Sequence, residues 1–296
     1  MKRCFGSLLF ILCFFRGLAL DPVIFSGNTP PFLIGKSTEW LEDKDGHLLI
    51  TDVAKRNDFV ASKLDVPNFG LTTSAYWLHF ILQNNTPDDE LLLDVDQPLT
   101  DEVDLYVSND DGTWHHQAAG DFLPFAQRKY HFSSFLMEVP VKHGAQVHCY
   151  LRVKNHEQQQ VPVYIGTPVQ QINRAAGNDL LMAVYSGILL VMFFYNLFLY
   201  AGIKDRSYLY YVIYILMIGL AQITLKGFAF KTLWGNNIWL QNHATYIFSS
   251  LVGIIVFVFI KNFLNTRVIV PKLTRMMDII IAGYILCIPV ALAGYY

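Results

Sequence analysis

A few aromatic and charged residues in the first half of the chain have the chemistry of a ligand site. Trp77, Trp114, Tyr76, Tyr106 and Tyr130 offer flat faces on which sugar rings stack, while Asp121 and Arg128 offer hydrogen bonds to hydroxyls. Arg128, following Pro124-Phe125, is the strongest of these, because a guanidinium fork suits an oxygen-rich ligand. The same residues also have a structural explanation, in which the tryptophans fill a core and Asp121 pairs with Arg128 in a loop. His115, His116, His131, His143 and His148 suggest zinc or copper, but no helical His-Glu spacing accompanies them. Adjacent strand residues face opposite ways, so His115 and His116 do not ligate together, and neither a metal nor another cofactor is expected. Asp94-Val95-Asp96 places two acids on one strand face, a geometry that glycosidases use, although acidic surface is its commoner meaning. With no nucleophile elbow, phosphate loop or dinucleotide fingerprint, the chain does not read as an enzyme.

Composition divides the 296 residues that must hold this chemistry into two halves. Charged residues make up 16% of the chain, against about 25% in an average soluble domain, so part of it belongs in lipid. From Asp21 to Asp179 there are 22 acidic and 11 basic residues, whereas Leu180 to Tyr296 holds 2 acidic and 8 basic. The acidic half excludes a generic nucleic-acid binder, and the basic apolar half excludes a simple secreted protein.

Lys2 and Arg3 precede the apolar run Phe5 to Phe15, and Gly17-Leu18-Ala19 supplies small residues for a cut after Ala19. Residues 1–20 therefore read as a secretory signal peptide, with an uncleaved anchor as the alternative because Arg16 interrupts the pattern. Either reading exports residues 21–175. Cys149 is the one cysteine of that half, so no disulfide or cysteine metal cluster forms within it.

Four charge-free runs follow: Leu180 to Ile203, Ser207 to Leu225, Thr232 to Ile260 and Ile279 to Tyr296. About 20 residues at 1.5 Å each cross a bilayer core, so residues 176–296 are expected to supply four membrane helices, about 180–203, 207–225, 243–262 and 277–296. Trp234-Gly235-Asn236-Asn237 has turn chemistry, which places the start of the third helix near His243. Lys204, Arg206, Lys261, Arg267, Lys272 and Arg275 then fall inside and only Lys226 and Lys231 outside, the distribution that the positive-inside rule requires. No Asp, Glu, Lys or Arg interrupts the runs, which counts against a transporter. Asn196, Gln222 and Thr224 are expected to bond between helices, and Gly187, Gly219 and Gly253 to let helices approach. The fourth run ends at Tyr296, after Tyr295, without a polar residue, and the expectation is a chain cut short.

The exported half alternates in short runs, as an antiparallel sandwich does. Tyr76, Leu78, Phe80 and Leu82 alternate with Trp77, His79 and Ile81; Val103, Leu105 and Val107 lead through Asp111-Gly112 to Trp114; Cys149, Leu151 and Val153 precede Val161, Val163 and Ile165. Before Leu180 no convincing amphipathic helix is visible.

The order of these runs resembles a known family. Ser74 to Phe80, the stretch Leu91 to Val107, Gly120-Asp121-Phe122-Leu123-Pro124-Phe125 with Arg128, and Tyr150-Leu151-Arg152-Val153 resemble the type 2 extracellular domain of bacterial 7TMR-DISM receptors. Tyr185-Ser186-Gly187 with Tyr195-Asn196, Tyr208-Leu209-Tyr210-Tyr211, and Gly227-Phe228-Ala229-Phe230 before Leu233-Trp234 are similar to the start of that family's membrane domain. Four helices stand where the family has seven, His79 stands where it more usually has Arg, and its cytoplasmic module is absent. The resemblance implies a jelly-roll ectodomain that binds carbohydrate or another small ligand, set in the bacterial inner membrane with its N-terminal domain periplasmic. It further implies signalling to a diguanylate cyclase or histidine kinase module. Trp77, Trp114, Asp121, Arg128 and Tyr130 are the candidate ligand residues. The partners expected are that ligand, the bilayer and a second copy in a homodimer, with no nucleic acid. The competing reading is a membrane-anchored binding or adaptor protein with no output of its own.

Overall fold

The computed structural model describes residues 20–27 and 29–293, so the signal peptide expected over residues 1–20 lies, but for Leu20, outside the described residues, as does the Tyr295-Tyr296 pair. The strands are β1 (Val23–Phe25), β2 (Phe32–Leu33), β3 (Glu39–Asp43), β4 (Val60–Ala61), β5 (Asn68–Leu71), β6 (Ala75–Asn84), β7 (Glu90–Val95), β8 (Glu102–Ser108), β9 (Trp114–Ala119), β10 (Phe135–Pro140), β11 (Gln146–Lys154), β12 (Gln158–Gln160) and β13 (Val163–Gly166). They form a seven-stranded sheet in the order β4-β3-β6-β11-β8-β9 with β1 parallel to β6, a four-stranded sheet in the order β10-β7-β13-β2, and a β12-β5 ribbon; every other pairing is antiparallel.

Between the two larger sheets lies the main core, in which Leu78 and Phe80 of β6, Leu105 of β8 and Leu151 of β11 meet Leu93 of β7, Met137 of β10 and Val163 of β13. Each fully buried side chain of this kind contributes roughly 1.5–3 kcal/mol. The alternation read from β8 is present, buried and half-buried residues succeeding one another along Glu102–Ser108. Along β6 it fails, because a short helix α1 (Ile50–Val53) and its flanks cover the outer face of the sheet, where Leu41, Val53, Trp77 and Tyr150 form a second small core. Hydropathy alternation reports one wet face, and here both faces are dry.

The membrane half consists of α2 (Pro168–Ile203), α3 (Arg206–Leu225), α4 (Ile238–Phe263), α5 (Thr266–Ile269) and α6 (Pro271–Leu292). Four of these, α2, α3, α4 and α6, are long and apolar enough to cross a membrane. Helix α3 packs between α2 and α4, and α4 packs on α6.

Three helix starts differ from the sequence reading. Helix α2 begins at Pro168 and not near 180: Thr167 caps it by accepting from the Gln170 amide at 3.3 Å while the Gln170 side chain accepts from the Thr167 amide at 3.2 Å. Its first turns bury Gln171, Ala175 and Asp179 at four-residue spacing, and this largely polar stripe is invisible to a hydropathy scan. Asn237 caps α4 from Ile238, before the His243 start expected, and Pro271 opens α6 ahead of residue 277. Asn196 and Thr224 bond within their own helices, to Met192 O and Leu220 O, both at 2.7 Å, and not between helices. A Cβ at Gly219 would stand 3.1 Å from Leu189 and one at Gly253 2.5 Å from the Tyr284 ring, so these two do permit close approach, whereas Gly187 faces open space.

Candidate functional site

The chain between β9 and β10 leaves the sheet at Gly120, whose φ of +130° and near contact with Asp101 O exclude a side chain. This segment and the facing strands enclose a cavity of about 460 Å³, bordered by His115, Gln117, Arg128, Lys129, Tyr130 and Glu138. Gln117 clamps the strand across from it, donating to Glu138 O at 2.7 Å and accepting from the Glu138 amide at 3.0 Å. The Glu138 carboxylate accepts from the Tyr130 hydroxyl at 3.0 Å and pairs with Lys129. Burial would raise the Glu138 carboxyl, but these two donors hold it below its usual range, and burial beside that carboxylate pushes the Tyr130 hydroxyl up to about 12. The cavity therefore presents a carboxylate, an ammonium and a phenol within a partly apolar wall.

Arg128 stands at its inner edge. One guanidinium nitrogen donates to Phe132 O and Ser133 O, both at 3.1 Å, while Nε and the other terminal nitrogen are buried without a hydrogen-bond partner among the described residues. Its guanidinium carbon lies 4.9 Å from the Phe125 ring centre, 4.4 Å from that of Phe135 and 5.5 Å from that of Phe230. Phe230 opens a π-helical turn, Phe230–Trp234, in the outer loop between α3 and α4, so the arginine joins the two halves. Burial pulls its pKa down to about 10, against the pull of nearby Asp121.

Asp121 faces away from that cavity, into a second one of about 190 Å³ at the seam with α4. It is 4% exposed; one oxygen accepts from Gln241 Nε2 at 3.4 Å and the other has no partner among the described residues. Burial, reinforced by Asp101, pushes its carboxyl up to about 7.

Elsewhere the seam is tightly paired. Arg174, on the first turns of α2, clamps Asp94 and Asp96, bonding the latter at 2.6 Å, so the two acids that could have been catalytic are engaged by a helix. Asp179 accepts from Ser133 Oγ at 2.7 Å and from Lys231 Nζ at 2.6 Å. Gly227, at φ +67°, presses on Pro98. The sequence reading missed this anchor, although its signal was there: Arg174 is the one basic residue between Lys154 and Lys204.

A β-sheet domain seated on apolar helices through such a seam matches two family descriptions in order. 7TMR-DISM extracellular 2 matches residues 35–167, and 7TM diverse intracellular signalling matches residues 178–296. The chain belongs to the 7TMR-DISM family. It is thus a membrane receptor with an extracellular sensing domain and a membrane signalling domain, both of them sensory in type. A search of curated proteins yields no match. The stretch between the two matched regions of this 7TMR-DISM chain is the capped start of α2 that carries Arg174.

The five candidate residues of the receptor fall in three places. Arg128 and Tyr130 share the larger cavity, and Asp121 lines the smaller one. Trp77 and Trp114 belong to the outer face of the long sheet: Trp77 is buried at 1% exposure beneath the α1 segment, and Trp114 meets Tyr150 edge-on at 5.5 Å. Tyr76 lies in the main core, stacked on Phe69 at 3.9 Å, and Tyr106 stacks on His116 at 4.4 Å. His79 bonds Glu39 at 2.7 Å and His148 at 3.1 Å, two partners for a side chain buried in the sheet.

Proposed function

We propose that the receptor binds a small oxygen-rich ligand, a carbohydrate, in the cavity between β9 and β10, and relays its presence to the membrane helices through Arg128. The observation that carries this reading is that one side chain borders the cavity and also packs on Phe230 of the membrane half. A polyol has acceptors for Lys129 and donors for Glu138, and competing for them moves the segment on which Arg128 rides. The shift that results is bounded by the ligand's differential affinity for the two seatings of the ectodomain. The basic residues of the loops after α2 and α4 support a bacterial inner-membrane placement with the sandwich in the periplasm, and membership of the family supports a cytoplasmic diguanylate cyclase or histidine kinase as output.

The test uses the full chain in lipid nanodiscs and a panel of neutral mono- and disaccharides. Saturable binding is expected for at least one sugar, with a loss of tenfold or more in Glu138→Gln. Arg128→Lys should keep binding yet lose the slowing of backbone hydrogen exchange that the sugar produces around Phe230. Absence of saturable binding across the panel, or binding indifferent to Glu138→Gln, overturns the assignment.

A further inference from the structure

The smaller cavity gathers groups whose polarity does not balance. Asp101 enters from the start of β8, Asp121 from the segment after β9, His156 and Glu157 from the β11–β12 turn, and Gln241, Asn242, Thr245 and Tyr246 from the outer end of α4. Asp101 is satisfied by His156, whose amide donates to it at 2.8 Å and whose ring also contacts it. Tyr246 bonds Glu157. Arg128 is the cation whose charge reaches Asp121, from the other side of the segment that both share, and no ion pair joins them. Three oxygens bordering the cavity, Asp121 Oδ1, Asn242 Oδ1 and Thr245 Oγ1, are buried with no partner among the described residues. Two of them can only accept while Asp121 is ionised. Asp121 itself is not free to swing out, since its amide donates to Thr100 O at 2.9 Å and its other oxygen meets Gln241.

A single proton removes much of the imbalance. It neutralises a carboxylate crowded by Asp101 and Glu157, and it turns an unpartnered acceptor into a donor in a cavity that the unpartnered Asn242 amide oxygen and Thr245 hydroxyl also border. We propose that Asp121 is a proton-binding switch at the seam between the ectodomain and α4, through which the receptor senses acidification outside by tightening that seam. The switch is separate from the ligand cavity and stands whether or not a sugar binds there.

The direction follows from linkage. Seated against α4, the Asp121 carboxyl is pushed up from 3.8 to about 7 by burial and by Asp101, whereas an opened seam returns it to water and its ordinary range. The seated form then binds the proton more tightly, so it is fully favoured below about pH 4 and loses ground as the pH rises towards and through about 7.

Trp234 reports on this seam, because its indole nitrogen donates to Gln241 Oε1 at 3.0 Å. The experiment titrates Trp234 fluorescence of the full chain in nanodiscs from pH 8 to pH 5.5. It uses a Trp239→Phe background, since the His243 ring lies against Trp239, and reads only the part of the signal that Trp234→Phe removes, since Trp40, Trp77 and Trp114 also fluoresce. A single step centred near pH 7 is expected, absent from Asp121→Asn, which should show the low-pH signal throughout, and retained in Asp94→Asn, at the opposite end of the seam. Should the amide variant fail to fold, Asp121→Ser must abolish the step in its place. A step that survives neutralisation of Asp121, or no step in the parent, overturns the proposal. Loss of sugar binding in Glu138→Gln with the step intact would leave the switch standing alone.

Discussion

The two ends of the seam between sandwich and helices differ in their cations and not in the burial of their acids: burial pushes the carboxyls of Asp94 and Asp121 alike up to about 7, and each keeps one oxygen without a partner among the described residues. At the α2 end each carboxylate meets a cation: Asp94 and Asp96 share Arg174, and Asp179 takes Lys231. At the α4 end three carboxylates line one small cavity, and among the described residues no lysine or arginine pairs with Asp121. A matched buried pair is costly to break, because either partner left alone carries an unpaid desolvation penalty. A crowded set of acids gives way at little cost, since a proton relieves it. Under the proposed switch, α2 is the fixed post of the ectodomain and α4, which also packs against α3 and α6, the adjustable one.

Breaking the fixed post should have the largest effect. Arg174→Ala strands Asp94, which is fully buried and whose carboxyl burial already pushes up to about 7, and should cost about 3–5 kcal/mol of unfolding free energy in urea melts of the full chain in detergent above pH 8, and less at lower pH, where a proton relieves Asp94. A loss below about 1 kcal/mol would mean that the α2 end is no better matched than the α4 end. Neutralising the adjustable post should do the reverse. Asp121→Asn should stabilise the chain by roughly 1–3 kcal/mol above pH 7, by less as the pH falls, and by nothing below about pH 4, as followed by thermal melts across that range. Stabilisation independent of pH would remove the contrast between the two ends. The smallest effect is expected for Lys36→Ala, which breaks a pair with Asp65 that is 59% exposed on both sides and lies away from the seam; under about 1 kcal/mol should be lost, and less in high salt.

Much of the architecture was legible because it rests on one-dimensional patterns. The alternation of β8 and the Asp111-Gly112 turn with Gly112 at φ +79° follow from residue chemistry within a few positions, as do the four apolar helices. The start of α2 was not legible, because Gln171, Arg174 and Asp179 are polar residues turned inward to partners that lie 46 to 80 positions away or across a sheet. Arg128 and Tyr130 were each legible as ligand candidates, one for its guanidinium fork and the other for its aromatic face, but that they border one cavity was not. The burial of Trp77 was one of two readings the sequence left open, and the residues of α1 and its flanks that cover it decided between them.

By itself, then, the sequence determined that this chain has an acidic β-rich domain outside a membrane and a basic apolar domain within it, because charge and hydropathy are properties of residues and their spacing. Only the tertiary structure decided which acids are matched and which are crowded. Pairing depends on distances across the seam, and there Asp94 met an arginine while Asp121 met an amide and two other acids.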